Sequence, residues 1–364
     1  MYKFSMSILL SPLSLLWGLI VWLRGKLFDW GWLPSRSFPL PVICVGNLAV
    51  GGTGKTPHVE HILRLLHAHG YRVAMLSRGY GRKTKGYVLA HERHTAEEIG
   101  DEPLQIRRNC PFATVAVCER RVEGIERLLQ LTPAPQVVVL DDAYQHRYVR
   151  AGFNVLLTAA SRLYTADHLL PWGRLREPAG AARRAQAIVV TKCPPDSCPA
   201  LKVLPGQKLF YSRICYGTPR PWEAQLAVPQ DDTASAASAP SLAGQKVLLV
   251  TGIAHPEPLI RHLQACGAAA VDALSFPDHH AFSRRDAERI NSRYKQGAAT
   301  CVLTTQKDAT RLQVIQKWLS PELINHLLVQ PITVKVEAAP ETSSDFNQTI
   351  LQYVDSHTRN SCVD

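Results

Sequence analysis

The stretch Pro41-Val-Ile-Cys-Val-Gly-Asn-Leu-Ala-Val-Gly-Gly-Thr-Gly-Lys-Thr56 decides the fold. Val42 to Val45 is a short apolar, β-branched run of the kind that forms a buried parallel strand. A glycine-rich turn follows, then Lys55-Thr56, and Pro57 suits the first turn of a helix whose apolar residues recur at helical spacing from Val59 to Leu66. Strand, turn and helix together make a phosphate cradle. Backbone N–H groups and the positive helix end face the anion, Lys55 reaches the outer phosphates, and the Thr56 hydroxyl is placed to hold magnesium. The usual phosphate-loop spacing puts glycine where this chain has Ala49; Gly51, Gly52 and Gly54 still give the backbone its freedom. The competing reading is an ordinary strand-to-helix turn, but the flanking strand and helix favour nucleotide binding. The cradle then comprises Ala49, Val50, Gly51, Gly52, Thr53, Gly54, Lys55 and Thr56.

Working outward, 364 residues suffice for two domains with real cores, and 46% hydrophobic against 20% charged residues describes a folded chain. A formal net charge of +11 implies an anionic partner: a membrane surface, nucleic acid or a phosphorylated substrate. No nucleic-acid motif and no Lys/Arg run with interleaved aromatics occurs, so nucleic acid is set aside. The nine cysteines are scattered, without metal-ligand spacing; most, such as Cys44 and Cys301, read as small core residues, which suggests a reducing compartment for the catalytic part.

From Ile8 to Leu23 the chain is apolar except for two serines, Pro12 and Gly18. As a helix this stretch spans about 24 Å, short of a hydrocarbon core of about 30 Å. Trp17, Trp22, Trp30 and Trp32 with Arg24, Lys26 and Arg36 supply interfacial anchors. A membrane-associated helix is the favoured reading, with a signal peptide or a core helix as alternatives; spanning and lying in the interface both stay open.

Downstream, Arg72 to Ser77, Thr114 to Val117, Asn154 to Thr158 and Ala187 to Thr191 read as strands, and Thr95 to Arg108 as one helix. Ser77-Arg-Gly-Tyr-Gly-Arg82 is either an anion-approaching loop or a plain basic turn. Gln136-Val-Val-Val-Leu-Asp-Asp142 is a buried strand ending in two acids, where Asp141 and Asp142 can hold magnesium or its waters beside a phosphate loop. The fold expected is α/β: a P-loop NTPase-like parallel-sheet domain with a second, smaller α/β domain and an N-terminal membrane-associated helix. Boundaries fall at 1–30 (helix), 31–225 (P-loop domain), 226–245 (Pro/Ala/Ser-rich linker), 246–345 (smaller domain, with strands near Lys246 to Thr251, Cys301 to Thr304 and Ile332 to Val336) and 346–364 (frayed tail).

Seven motifs in order now carry a resemblance. They are residues 46–56, Ser77-Arg-Gly-Tyr80, Gly100-Asp-Glu-Pro103, Asp141-Asp-Ala-Tyr-Gln-His146, Leu170-Pro-Trp-Gly-Arg-Leu-Arg-Glu177, Phe276-Pro-Asp-His279 and Thr304-Thr-Gln-Lys-Asp308. The set closely resembles the tetraacyldisaccharide 4′-kinase family, the lipid A 4′-kinases of Gram-negative bacteria. Tyr144 and Trp172 depart from the expected pattern, and neither carries chemistry. The resemblance implies transfer of the ATP γ-phosphoryl to the 4′-hydroxyl of a tetraacyldisaccharide 1-phosphate to give lipid IVA. It places the protein on the anionic surface of the inner membrane's cytoplasmic face. It implies Lys55 on the outer phosphates, with Thr56, Asp141 and Asp142 around Mg2+. Asp101 is the implied base, with His279 from the second domain sharing or positioning its proton. Arg78, Glu102, Arg121, Gln145, His146, Arg176 and Glu177 are implied to line the substrate site. Lys307 and Asp308 belong either to the second domain's working edge or to a plain strand end.

The rival from the residues is a P-loop GTPase or metallochaperone-type ATPase switch. Its base-reading Asn-Lys-x-Asp motif is missing, and Thr305-Gln-Lys-Asp308 is the nearest imitation. A membrane scaffold with a vestigial loop is the other alternative, opposed by the intact Lys55, Thr56, Asp141 and Asp142.

Overall fold

The computed structural model describes residues 2–194, 197–223, 240–278 and 280–360. Helix α1 (Tyr2–Asp29) runs through Pro12. Strand β1 (Val42–Asn47) is buried along its whole length, as expected of a strand covered on both faces. After the glycine turn, α2 (Lys55–Ala68) seals the sheet with Val59, Ile62, Leu63 and Leu66, all fully buried and spaced one helical turn apart.

The βα alternation continues with β2 (Val73–Ser77), the short edge strand β3 (Val88–Leu89), α3 (Ala96–Ile99), α4 (Asp101–Asn109), β4 (Thr114–Val117), α5 (Arg121–Leu129), β5 (Val137–Asp141), β6 (Phe153–Ala159), β7 (Ala187–Thr191) and β8 (Lys208–Tyr216). The expected single helix from Thr95 is broken at Gly100, whose φ of 94° no helix accommodates. The break starts a new helix at Asp101.

Together with β14 (Ile332–Ala338) these strands form a nine-stranded, mostly parallel sheet in the order β14-β8-β7-β6-β1-β5-β2-β4-β3. β1 lies between β5 and β6, and the register pairs Val45 with Asp141. The sheet's C-terminal edge therefore carries the glycine loop and the Asp141-Asp142 pair side by side.

A second sheet, ordered β11-β10-β12-β13-β9, is built from β9 (Arg220–Pro221), β10 (Lys246–Thr251), β11 (Ala270–Ser275), β12 (Cys301–Thr305) and β13 (Leu327–Gln330). It is flanked by α6 (Glu257–Ala265), α7 (Arg284–Gln296), α8 (Gln306–Leu312) and α9 (Pro321–Asn325).

Three expectations about the domains are corrected. Arg220, Pro221 and Trp222, assigned to the first domain, belong to the second: Arg220 and Pro221 pair with β13, and Trp222 is fully buried in the second core, its indole N–H on the Ala309 carbonyl at 3.3 Å. Most of the linker lies outside the described residues. Strand β14 (Ile332–Ala338), assigned to the second unit, pairs antiparallel with β8 and closes the first sheet's edge. Within residues 346–364, helix α10 (Phe346–Asn360) is no frayed tail: Phe346, Ile350 and Val354 stand one turn apart, are fully buried and pack with α2 in the first core.

Among the described residues no helix is long and apolar enough to cross a membrane. The core-helix alternative fails. One side of α1 docks on the first unit through Ser14, which accepts from the Trp172 N–H at 2.9 Å, and through Arg147, which donates to the Gly25 carbonyl at 2.8 Å. Leu13, Leu15, Leu16, Trp17, Leu19, Ile20, Trp22 and Leu23 stay exposed.

Candidate active site

The loop after β1 is held open by its own backbone and by neighbours. Gly51 and Gly54 take φ of 112° and 80°, conformations that a side chain would strain. A Cβ on Gly51 would meet nothing within 4 Å, so the loop's mouth is clear. Beneath it the Asn47 amide donates to the Thr53 hydroxyl at 2.9 Å, and the Thr191 hydroxyl donates to the Thr53 carbonyl at 2.8 Å. Lys192, itself at a φ of 58°, crosses over to donate to the Gly52 carbonyl at 2.6 Å.

His58, one turn into α2, bonds the Gly54 carbonyl at 2.7 Å and the Ser212 hydroxyl at 2.9 Å. Burial lowers its pKa to about 4, so it braces the loop as a neutral imidazole. Neither Lys192 nor His58 was among the expected site residues. Lys192 had a signal, since it directly follows a strand ending beside the loop; His58 reads in sequence as one more helix residue.

At the mouth, Lys55 Nζ stands 3.7 Å from Asp142 Oδ2. Asp142 also receives Arg176 Nη1 at 3.2 Å, and Gln145 donates to the Asn47 carbonyl at 2.9 Å. Asp142 adopts a φ of 46°, a left-handed conformation that short polar residues tolerate, and this turns its carboxylate back toward Lys55.

Asp141 is buried. Ser77 donates to its Oδ2 at 3.3 Å, while Oδ1 has no hydrogen-bond partner among the described residues. Burial first, then the Asp142 charge, push its pKa up to about 7 against the opposing pull of Lys55 and Arg121. A buried carboxylate oxygen without a donor, beside a cation and a second carboxylate, is a poor structural feature and a good cation ligand.

Arg121 is buried at the start of α5. It donates to the Cys118 carbonyl at 3.0 Å, while its Nε has no hydrogen-bond partner among the described residues. His146 has its pKa lowered to about 4, chiefly by burial and then by the charges of Arg121, Arg24 and Arg78. Glu177 is buried and ion-paired with Arg184, whose guanidinium lies over the Tyr144 ring at 4.6 Å.

The opposite wall comes from α4. Gly79 and Gly100 approach so closely that a Cβ on Gly100 would lie 3.1 Å from the Gly79 Cα, and one on Gly79 2.7 Å from the Ile99 carbonyl. That contact presses the Ser77-Arg-Gly-Tyr80 loop against the start of α4 and sets Asp101 and Glu102 facing the second unit. Arg311 Nε of α8 donates to Asp101 Oδ2 at 2.5 Å, and Lys307 Nζ lies 3.9 Å from Glu102 and 3.1 Å from Asp278. His279 lies outside the described residues. Asp308 is fully buried and accepts from Thr251, Thr305 and the Gly252 N–H, so it serves the second unit's interior rather than a nucleotide base at the glycine loop. This takes away the feature closest to a GTPase base-reading motif.

Comparison with known proteins places the chain. The family model described as "Tetraacyldisaccharide-1-P 4'-kinase" matches residues 6–354. Proteins named tetraacyldisaccharide 4′-kinase are similar throughout. That of Bacteroides thetaiotaomicron is 46% identical, with 97% of this chain and 94% of that protein aligned. That of Flavobacterium johnsoniae is 42% identical, with 95% and 96% aligned. A crystal structure of LpxK from Aquifex aeolicus in complex with ATP superposes with a TM-score of 0.72 at 28% identity, covering 98% of this chain and 99% of that one. On the strength of these full-length matches, the chain belongs to the tetraacyldisaccharide 4′-kinase family.

Proposed function

We propose that the protein transfers the γ-phosphoryl group of ATP to the 4′-hydroxyl of a tetraacyldisaccharide 1-phosphate, the step that yields lipid IVA in lipid A biosynthesis. The observation that carries this reading is the glycine loop with Lys55 drawn toward Asp142 while the buried Asp141 keeps an oxygen free of donors. The ATP phosphates lie along residues 49–56, and Lys55 neutralises the outer ones. The free Asp141 oxygen and the adjacent Asp142 and Thr56 suit Mg2+, which when bound offsets charge on the transferring phosphoryl group.

Phosphoryl transfer depends mainly on position and charge balance. Arg78, Arg121, His146, Gln145 and Arg176 form the wall for anionic groups, with Glu102 opposite; Glu177 supports that wall through Arg184. Asp101 accepts the proton of the attacking hydroxyl as the new O–P bond forms and the bond to ADP breaks, and His279 of the second unit shares that task.

The acceptor reaches the site from a membrane surface. Helix α1 lies in the interface of the inner membrane's cytoplasmic leaflet, burying Leu15, Leu19, Trp22 and Leu23 among acyl chains. Its other side touches the site itself, since the Trp17 indole donates to the Arg176 carbonyl at 3.3 Å and Arg24 to the Gln145 carbonyl at 3.2 Å. The net charge of +11 suits an anionic leaflet. The test is label transfer: γ-labelled ATP, magnesium and purified protein are mixed with the disaccharide 1-phosphate in detergent micelles. Label in a bisphosphorylated lipid supports the reading; label released only as inorganic phosphate contradicts it.

A further inference from the structure

Asp101 and the second unit are joined by one side chain. Arg311 is 5% exposed and stands between two carboxylates, with Nε at 2.5 Å from Asp101 Oδ2 and Nη1 at 3.4 Å from Asp308 Oδ1. Asp308 is itself fixed. Its Oδ2 accepts from Thr305 Oγ1 at 2.8 Å, the Gly252 N–H at 2.9 Å and Thr251 Oγ1 at 3.1 Å. Those three donors sit at the ends of β10 and β12, the rigid centre of the second sheet. The Thr304-Thr-Gln-Lys-Asp308 motif therefore has a mechanical role: it fixes a carboxylate that aims a guanidinium across the boundary between the units.

The fork geometry matters. A guanidinium can hold two carboxylates in fixed directions at once, which an ammonium does less well. Among the described residues the bond from Arg311 to Asp101 falls on Oδ2, so Oδ1 of the same carboxyl can face a further partner.

We propose that Arg311 is a positioning residue for phosphoryl transfer: held by Asp308, it orients the Asp101 carboxylate so that Oδ1 receives the acceptor's hydroxyl proton, and it ties that orientation to docking of the second unit. The proposal rests on the kinase reading and on Asp101 as the base. The step balances simply: the hydroxyl O–H proton passes to Oδ1, the hydroxyl oxygen bonds the γ-phosphorus, and the bridging bond to ADP breaks. Arg311 touches neither reacting group and acts only through Asp101.

The test compares wild type, Arg311→Met, Arg311→Lys, Asp101→Ala and the Asp101→Ala/Arg311→Met double variant. Formation of the bisphosphorylated lipid is measured over a range of Mg-ATP concentrations. A misaimed base costs turnover rather than nucleotide affinity, so Arg311→Met is expected to lower kcat roughly 10- to 100-fold with KM for ATP little changed. Arg311→Lys keeps a cation within reach of both carboxylates and recovers most of that loss. In the Asp101→Ala background the Met substitution is expected to cost nothing further, because residues acting through one step are non-additive. Thermal melting checks that each variant is folded. If Arg311→Met does not fold, Arg311→Lys alone and combined with Asp101→Ala carries the same comparison, with a several-fold kcat loss that disappears in the double variant.

Wild-type kcat in Arg311→Met, or an equal further loss in the Asp101→Ala background, overturns the positioning role while leaving the kinase reading intact. Wild-type protein that forms no bisphosphorylated lipid overturns the kinase reading itself, and the positioning role with it.

Discussion

Asp141 is predicted to destabilise the ligand-free protein, and Asp141→Asn to relieve it. In the unfolded chain this carboxyl titrates near 3.8, whereas in the fold burial and the Asp142 charge hold it protonated up to about 7. Between those values the folded state binds the extra proton. Stability contributed at this site therefore falls as pH rises from about 4 to about 7, then levels off. At about 1.4 kcal/mol per pH unit the full effect approaches about 4 kcal/mol at pH 8 and shrinks to less than about 2 kcal/mol at pH 5.

Asparagine has nearly the same shape and no charge. Asp141→Asn is thus expected to melt a few degrees, roughly 3 to 8, above wild type at pH 8, with a much smaller gain at pH 5. Its kinase activity should be lost, and Mg-ATP should raise the melting temperature of wild type but far less that of the variant. Differential scanning calorimetry at both pH values measures this directly. A variant no more stable than wild type at pH 8, or equally stabilised at both, would refute the argument that the orphaned Asp141 oxygen is kept for a cation at the expense of the fold.

Other consequences can be checked alongside. Lys55→Ala should lower kcat by at least about 100-fold with a far smaller effect on the melting temperature, because the ion pair Lys55 makes among the described residues is long, at 3.7 Å; turnover near normal at saturating ATP would remove the loop from the mechanism. Phe346→Ala should destabilise by about 3–5 kcal/mol in chemical denaturation, since the ring is fully buried and edge-on to Phe210 at 5.2 Å; a loss below about 1 kcal/mol would mean that α10 is dispensable. Replacing Leu15, Leu19 and Leu23 together by serine should weaken binding to anionic lipid vesicles at least about tenfold, whereas raising salt should release little wild-type protein, because apolar burial is not screened. Salt-labile binding, untouched by the serines, would make α1 a bystander.

The parts of the site legible in sequence are those written in local pattern. A β-branched run, three glycines and Lys-Thr specify β1, the loop and α2 without help from the rest of the chain, and Asp141-Asp142 follows a strand in the same way. What escaped the sequence depends on distant packing. The helical pattern continues across Gly100, so the break that starts α4 at Asp101 shows only once Gly79 is seen pressed against it. Strand β14 carries the same alternation whichever sheet it joins, and only the chain's return to β8 decides. Phe346, Ile350 and Val354 did mark an amphipathic helix, but the polar residues between them obscured it. Arg311 gave no local signal, because its two partners lie in different units.

The most direct measurement is the coupling of ATP consumption to the lipid acceptor. Purified full-length protein is supplied with Mg-ATP, and ADP is followed with and without tetraacyldisaccharide 1-phosphate, the lipid product being identified by mass spectrometry and its new phosphate located by phosphorus NMR. ADP is expected only when the acceptor is present, matched one for one by a lipid carrying its new phosphate on the 4′-oxygen. ADP formed at the same rate without acceptor, and no bisphosphorylated lipid, would contradict the kinase reading and mark the glycine loop as that of a hydrolytic switch.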